Sequence, residues 1–201
     1  YNRVASRSRS LTTVHMLSSS DGSYVCLAHL KDFFQFISDG SKLAREIFEA
    51  NVRDYQNNVQ VNQAIRQTLE NKSSENFWFL NNGVTVITPN ASGGGNIITI
   101  EDPQIVNGLQ TSNEIFIHFS DPTTHQLDDD RHILVRIIKE DDEKARDRII
   151  RATNSQSSIP AASLRGSDHI HRLIEEYFKP HDLFYDRKKN KYKNEGKPSS
   201  K

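Results

Sequence analysis

With 201 residues and a formal net charge of zero, the chain has the size of one domain with one sizeable core, and nothing in its total charge demands nucleic acid as a partner. No apolar run is long enough to cross a bilayer, and a single cysteine, Cys26, excludes an internal disulfide. These features predict a cytoplasmic protein without a membrane partner. The start at Tyr1 and the polar end suggest a piece of a longer protein.

The first half of the chain predicts a polar lead-in followed by a strand and three helices. Residues 1–23 are rich in Ser, Thr and Arg, so we expect them to be loosely ordered, with order beginning near Tyr24. A strand is predicted over 24–30, and helices are predicted over 30–37, from Ser41 as N-cap to about 50, and over 61–69. The first helix would bury Leu30, Phe33, Phe34 and Ile37.

The second half alternates between strands and helices. The aromatic run 77–80 predicts a buried strand, which the turn Asn81-Asn82-Gly83 joins to a strand over 84–88 as a hairpin. A glycine-rich hairpin tip is expected over 90–96. Further strands are predicted over 97–100, 104–106 and 132–138, and helices over 109–119, 141–153 and 167–178. The expected fold class is α/β in the broad sense, a mixed α+β domain whose mixed sheet is flanked by helices.

Common catalytic and metal-binding patterns are missing from the sequence. The run Asp128-Asp129-Asp130 lacks the spacing of a calcium loop and favours a solvated acidic loop, and the eight histidines are scattered. No nucleophile elbow occurs, and Gln35 and Gln104 are not followed by the lysine that a metal-dependent nuclease motif requires. We therefore predict no metal and no catalytic residue in this piece.

What remains is a set of turns rich in Asn, Gln and Arg. Amide side chains can pair with base edges and arginine offers a planar fork to phosphate, while the alternative is that these amides only cap turns. The turn Asn107-Gly108 would also place the free N–H groups of a helix N-terminus at an anion. The candidate ligand-binding residues are Asn51, Arg53, Asn81, Asn82, Gly83, Asn107, Gly108, Gln110, Thr111, Arg151, Asn154, Gln156, Arg187 and Lys188.

These same residues resemble the AIPR family, the abortive-infection phage-resistance proteins of bacteria. The resemblance is carried by Asn51-Val52-Arg53-Asp54-Tyr55, Phe77-Trp78 with Asn81-Asn82-Gly83, Ile105-Val106-Asn107-Gly108-Leu109-Gln110-Thr111, Ala152-Thr153-Asn154-Ser155-Gln156 and Phe184-Tyr185-Asp186-Arg187-Lys188. It implies a domain over 24–189, with a basic tail over 190–201 that leads into a missing C-terminal part. It also implies antiviral defence, often with a nuclease domain ahead of this region. Whether the full-length protein is a nuclease stays open.

A more distant similarity concerns the order of strand, Asn-Gly-x-Gln turn and helix, which resembles the nucleotide-binding turn of ParB-like proteins. Thr111 stands where those relatives have an arginine, so the similarity does not predict nucleotide hydrolysis. The leading hypothesis is a module that binds a nucleotide or nucleic acid and regulates an effector outside this chain. One alternative is an interaction module that binds a phage protein or itself as a homo-oligomer. Another is a nuclease or NTPase acting alone.

Overall fold

The computed structural model describes residues 7–50, 60–71, 75–125 and 129–154, together with residue 176. Strands and helices are mixed, which confirms the predicted α+β class. The strands are β1 Ser8–Thr12, β2 His15–Ser18, β3 Tyr24–His29, β4 Ser38–Asp39, β5 Lys42–Leu43, β6 Val84–Thr88, β7 Asn90–Gly94, β8 Ile97–Glu101, β9 Gln104–Asn107 and β10 His132–Lys139. The helices are α1 Leu30–Ile37, a 3₁₀ helix Arg45–Phe48, α2 Gln60–Glu70, α3 Phe77–Leu80, α4 Leu109–Ser120, α5 Pro122–His125 and α6 Glu143–Asn154.

The largest sheet has five strands in the order β2-β3-β10-β6-β9. The pair β10 and β6 is parallel and the other pairs are antiparallel, so the sheet is mixed, as predicted. A separate antiparallel sheet has the order β1-β8-β7. Because β6 lies between β9 and β10, all five of its residues are buried.

Helices cover β6 on both of its faces. Val84 and Val86 belong to the main core with residues of α1 and α4, while Ile87 packs with Val106 and Ile150 of α6 in a second cluster. This alternation follows from the twofold period of a strand. It brings α6 and α4 to opposite sides of the same strand pair.

The prediction of α1 is confirmed at both ends. Phe34, expected in the core, is half-buried against the rings of Phe116 and Phe119, and Phe36 is buried instead. The strands predicted over 24–30, 84–88, 97–100, 104–106 and 132–138 and the helices over 61–69, 109–119 and 141–153 are also confirmed to within about two residues at each end. The helix expected over 167–178 lies outside the described residues, apart from residue 176, which is helical.

Three local predictions are wrong. The run 77–80 is a helical turn and not a strand. Its expected partner β6 is already paired with β9 and β10, and Phe79 and Leu80 are exposed. The helix expected from Ser41 is a small β4–β5 hairpin, with positive φ at Gly40, followed by the 3₁₀ helix. Most of the segment 90–96, expected as a flexible tip, is strand β7.

The start of the described chain also differs from the expectation that order begins near Tyr24. Strand β1 pairs with β8 along five residues, and Leu11 is fully buried. A sequence window with one apolar residue could not show this pairing, because its partner strand lies almost ninety residues further along the chain. The domain boundaries after residues 23 and 189 stay predictions.

The acidic run before β10 was expected to be solvated, but Asp129 is buried and paired with Arg131 at 2.7 Å. Arg131 Nη1 and Nη2 also donate to the carbonyl oxygens of Thr68 and Leu69, so the pair closes the C-terminal end of α2. Burial by itself would raise the pKa of Asp129, but the hydrogen bonds and charge of Arg131 hold this pKa below its usual value. The pair is therefore a structural one.

Candidate functional site

The two Asn-Gly turns that the sequence singles out lie against each other. Strand β9 ends at Asn107 opposite Thr85, near the start of β6, so the turn after β9 meets the turn before β6. A Cβ atom on Gly108 would lie 3.0 Å from the carbonyl oxygen of Gly83 and 2.7 Å from Cγ2 of Val84. The residues 81–83 and 107–110 are called the paired turns below.

Both glycines of the paired turns have backbone conformations that favour glycine. Gly83 has φ +73° and Gly108 has φ +95°. A side chain on Gly83 would also collide with the carbonyl oxygen of Leu134 in β10. Since side chains are excluded by both conformation and space, the paired turns present backbone at their closest approach.

The end of α6 is tied to the paired turns by two amide side chains. Asn107 Nδ2 donates to the carbonyl oxygen of Thr153 at 2.8 Å. Asn154 is buried, and its Nδ2 donates to the carbonyl oxygens of Val106 and Ile150 at 2.9 and 2.8 Å. These two predicted site residues therefore donate to backbone carbonyls and hold α6 on β9.

Helix α4 begins directly at the paired turns. Gly108 is its N-cap and no side chain among the described residues caps it, while the first intrahelical bond runs from Ser112 N to Gly108 O at 2.8 Å. The N–H groups of Leu109, Gln110 and Thr111 therefore have no intrahelical acceptor. The positive end of the helix dipole lies at the same place.

Two polar atoms in the first turn of α4 are buried without a hydrogen-bond partner in the described part of the chain. They are Gln110 Oε1 and Ser112 Oγ. Ser112 is fully buried, and Thr111 is 9% exposed. Buried polar groups are nearly always hydrogen-bonded, so these two atoms are exceptions that the described residues do not satisfy.

Helix α2 packs beside α4. Arg66 of α2 pairs with Glu114 of α4, and four residues further along each helix the charge of Glu70 acts on the His118 ring, so contacts advance in the same direction along α2 and α4. The two helices are therefore parallel.

The remaining predicted site residues divide into those the structure places and those it does not describe. Asn81 Nδ2 donates to the carbonyl oxygen of Phe77 at 3.0 Å and so closes α3. Asn82 is exposed, as is Arg151 in the last turn of α6. Asn51, Arg53, Gln156, Arg187 and Lys188 lie outside the described residues.

Sequence reasoning missed one polar residue at this place. Thr85 lies opposite Asn107 in the β6–β9 register, is 1% exposed, and has an Oγ1 without a partner among the described residues. The only signal in the sequence was a hydroxyl within the apolar run Val84-Thr85-Val86-Ile87. Such a residue is more often satisfied within its own sheet, so the pattern alone did not single it out.

No group of three or more His, Cys, Asp or Glu side chains within the described ranges is arranged to hold a metal ion. None of the helices in those ranges is both long and apolar enough to span a membrane.

The fold and the paired turns define a mixed α+β domain with an amide-rich junction at one end of its sheet. The family described as AIPR protein matches residues 48–201, which is more than half of the chain and includes both turns. The chain therefore belongs to the AIPR protein family. Membership suggests a role in abortive infection and phage resistance. No curated protein and no solved structure gives a significant match to the chain.

Proposed function

We propose that this chain is the ligand-binding module of a phage-defence protein and that it binds a nucleotide or a nucleic-acid end at the paired turns. The observation that carries the proposal is the meeting of Gly83 and Gly108 at the uncapped N-terminus of α4. Backbone N–H groups at such a helix end suit a phosphate, because they donate hydrogen bonds and the dipole favours negative charge. The ligand would regulate an effector or nuclease domain outside this chain.

The arrangement divides the predicted residues into two roles. Asn107, Asn154 and Asn81 hold the backbone of the site in place, since each donates to a carbonyl oxygen. Asn82 and Gln110 are the amides left for the ligand, because neither makes a side-chain hydrogen bond within the described part of the chain. Amides of this kind suit the edge of a base. Arg53 and Arg151 would supply positive charge for the phosphate.

Regulation would pass through α6. The Asn107 side chain links the paired turns to the last turn of α6, and the chain continues from Asn154 toward the segment that holds Gln156. A ligand that changes the position of the turn after β9 therefore acts directly on the end of α6. Through this contact, ligand binding would be transmitted to another domain as a change at the end of α6.

The test is thermal stability of the purified chain with a panel of nucleotides, short single-stranded DNA and short duplexes. A ligand that binds only the folded state adds about 2.7 kcal/mol of stability at a hundredfold excess over its Kd. We expect one class of ligand to raise Tm and the rise to disappear in the double variant Asn82→Ala Gln110→Ala. Asn96→Ala, an exposed amide in the turn between β7 and β8, is the matched control.

If no ligand in the panel raises Tm, or if the double variant responds as the control does, the proposal is wrong. Asn107→Ala is less informative than the double variant, because it also removes the anchor of α6. A lost response in that variant could come from a displaced helix. Arg53→Ala tests the charge separately and should weaken binding most at low salt.

A second candidate function is an interaction module that binds a phage protein or a second copy of the chain. It is favoured by exposed apolar side chains: Leu17 is 76% exposed on the edge strand β2, opposite Val25 at 44%, and Phe79 of α3 is 62% exposed. Strand edges and apolar patches of this kind are common in protein contacts. A complex that survives high salt would support this function, since phosphate-based binding weakens steeply with salt.

A further inference from the structure

A small cavity lies at the opposite end of α4 from the paired turns, between α2, α4 and α5. Its volume is about 140 Å³. Pockets for small-molecule ligands and cofactors begin near 300 Å³, so the cavity is the size of one side chain and too small for a nucleotide. His118, which lines it, is ten residues from Gly108, or about 15 Å along the helix.

One wall of the cavity is apolar, and Ile117 is its accessible part. Leu69 of α2 is buried, while Ile117 of α4 is 47% exposed. Such a wall can pack against the methylene groups of a long side chain. The opening is therefore suited to a side chain with an aliphatic stem.

The charges of the described residues around the cavity leave it negative. Arg66 and Glu114 form a two-point ion pair, with Nη2 3.2 Å from Oε1, so their charges cancel. Glu70 and Asp121 also line the cavity, and neither has a salt-bridge partner within the described part of the chain. Two exposed carboxylates thus remain beside the apolar wall.

The histidine in the lining does not cancel these carboxylates. Burial and the nearby charge of Arg131 lower the pKa of His118 below its usual value, so the ring is neutral at pH 7. The carboxylate of Asp121 is ionised, since its hydrogen bonds from the backbone and hydroxyl of Thr123 lower its pKa. A neutral ring can also accept a hydrogen bond from a cation.

We propose that this cavity is a docking site for a lysine or arginine side chain of a partner protein. The aliphatic stem would lie on Leu69 and Ile117, and the cationic end would lie between Glu70 and Asp121. The site is separate from the paired turns. One domain would therefore hold a ligand at one end of α4 and a basic segment of its partner at the other.

The probe for the test is N-butylguanidinium, with N-butylurea as a neutral compound of the same shape. Titration of the full chain is followed by two-dimensional NMR of the backbone amides. We expect saturable shifts at Ile117, His118 and Thr124 with the cation and not with the urea. The double variant Glu70→Gln Asp121→Asn should weaken binding about fivefold, because each exposed ion pair contributes a small factor. Asparagine can keep the hydrogen bond that Asp121 accepts from Thr123.

Glu49→Gln removes an exposed carboxylate that does not line the cavity and should leave binding unchanged. Equal shifts with the urea, shifts at other amides, or unchanged affinity in the double variant would each overturn the proposal. A further variant, Arg187→Gln Lys188→Gln Lys189→Gln, distinguishes the source of the basic side chain. If it shifts the Ile117 and His118 amides without any probe and raises probe affinity, the cavity belongs to this chain's own basic segment and the proposed partner is wrong.

Discussion

The change Gly108→Ala should destabilise the protein more than a positive φ alone explains. A left-handed backbone conformation costs an alanine about 1–2 kcal/mol relative to glycine, and Gly108 has φ +95°. The new Cβ would also lie 2.7 Å from Cγ2 of Val84 and 3.0 Å from its Cα. Val84 is fully buried in β6, so the strand cannot move away without disturbing the core. Overpacking of this kind adds about 1–3 kcal/mol.

The matched control is Gly40→Ala. Gly40 has φ +61° in the β4–β5 turn, but a Cβ there meets no atom of the described residues within 4 Å. The control should therefore lose only the conformational part, about 1–2 kcal/mol. Urea unfolding followed by fluorescence of the single tryptophan, Trp78, measures both variants. If the two free energies of unfolding agree within about 0.5 kcal/mol, the close approach of the paired turns is not as tight as the structure has it.

Three further predictions concern the contacts that hold the domain together. Arg131→Met should lower the free energy of unfolding by about 3–5 kcal/mol, because it leaves Asp129 buried without its cation. Arg136→Met, at an exposed position, should change the free energy of unfolding by less than about 0.5 kcal/mol. Asn154→Ala should lower the free energy of unfolding by about 1–3 kcal/mol, because the hydrogen bond to the carbonyl of Val106 is lost. Hydrogen exchange at the end of α6 should become faster, and an unchanged exchange rate would contradict this prediction. Since the pKa of His118 is lowered from 6.5 in the folded protein by burial, its contribution to stability should be complete above pH 6.5 and decline as the pH falls below it. Urea midpoints at pH 7.5 and 5.5 should differ less in His118→Gln than in the unchanged protein.

Local patterns in the sequence were sufficient for much of the secondary structure. The apolar spacing of Leu30, Phe33 and Ile37 determines a helix wherever it is placed, because only a 3.6-residue period brings these side chains to one face. Gly108 is equally informative, because glycine readily adopts the left-handed conformation that a turn from a strand into a helix requires. The structure has Gly108 at φ +95°. Neither inference needed a partner segment.

The errors fall where a partner segment decided the structure. The aromatic run at Phe77 has the composition of a strand, but β6, its expected hairpin partner, already pairs on both sides with β9 and β10. Strand β1 has only Leu11 to indicate burial, and its order comes from pairing with β8. In both cases the deciding hydrogen bonds join residues far apart in the chain, which no local window contains.

The candidate site shows the same division. The sequence by itself determined that the turns at Gly83 and Gly108 are tight and that a helix begins after the second one, because those properties belong to the residues themselves. Only the tertiary structure decided that the two turns touch, that Asn107 and Asn154 hold α6, and that Thr85 lies opposite Asn107. The physical reason is that the antiparallel pairing of β6 with β9 sets which ends meet, and that pairing depends on packing across the whole sheet.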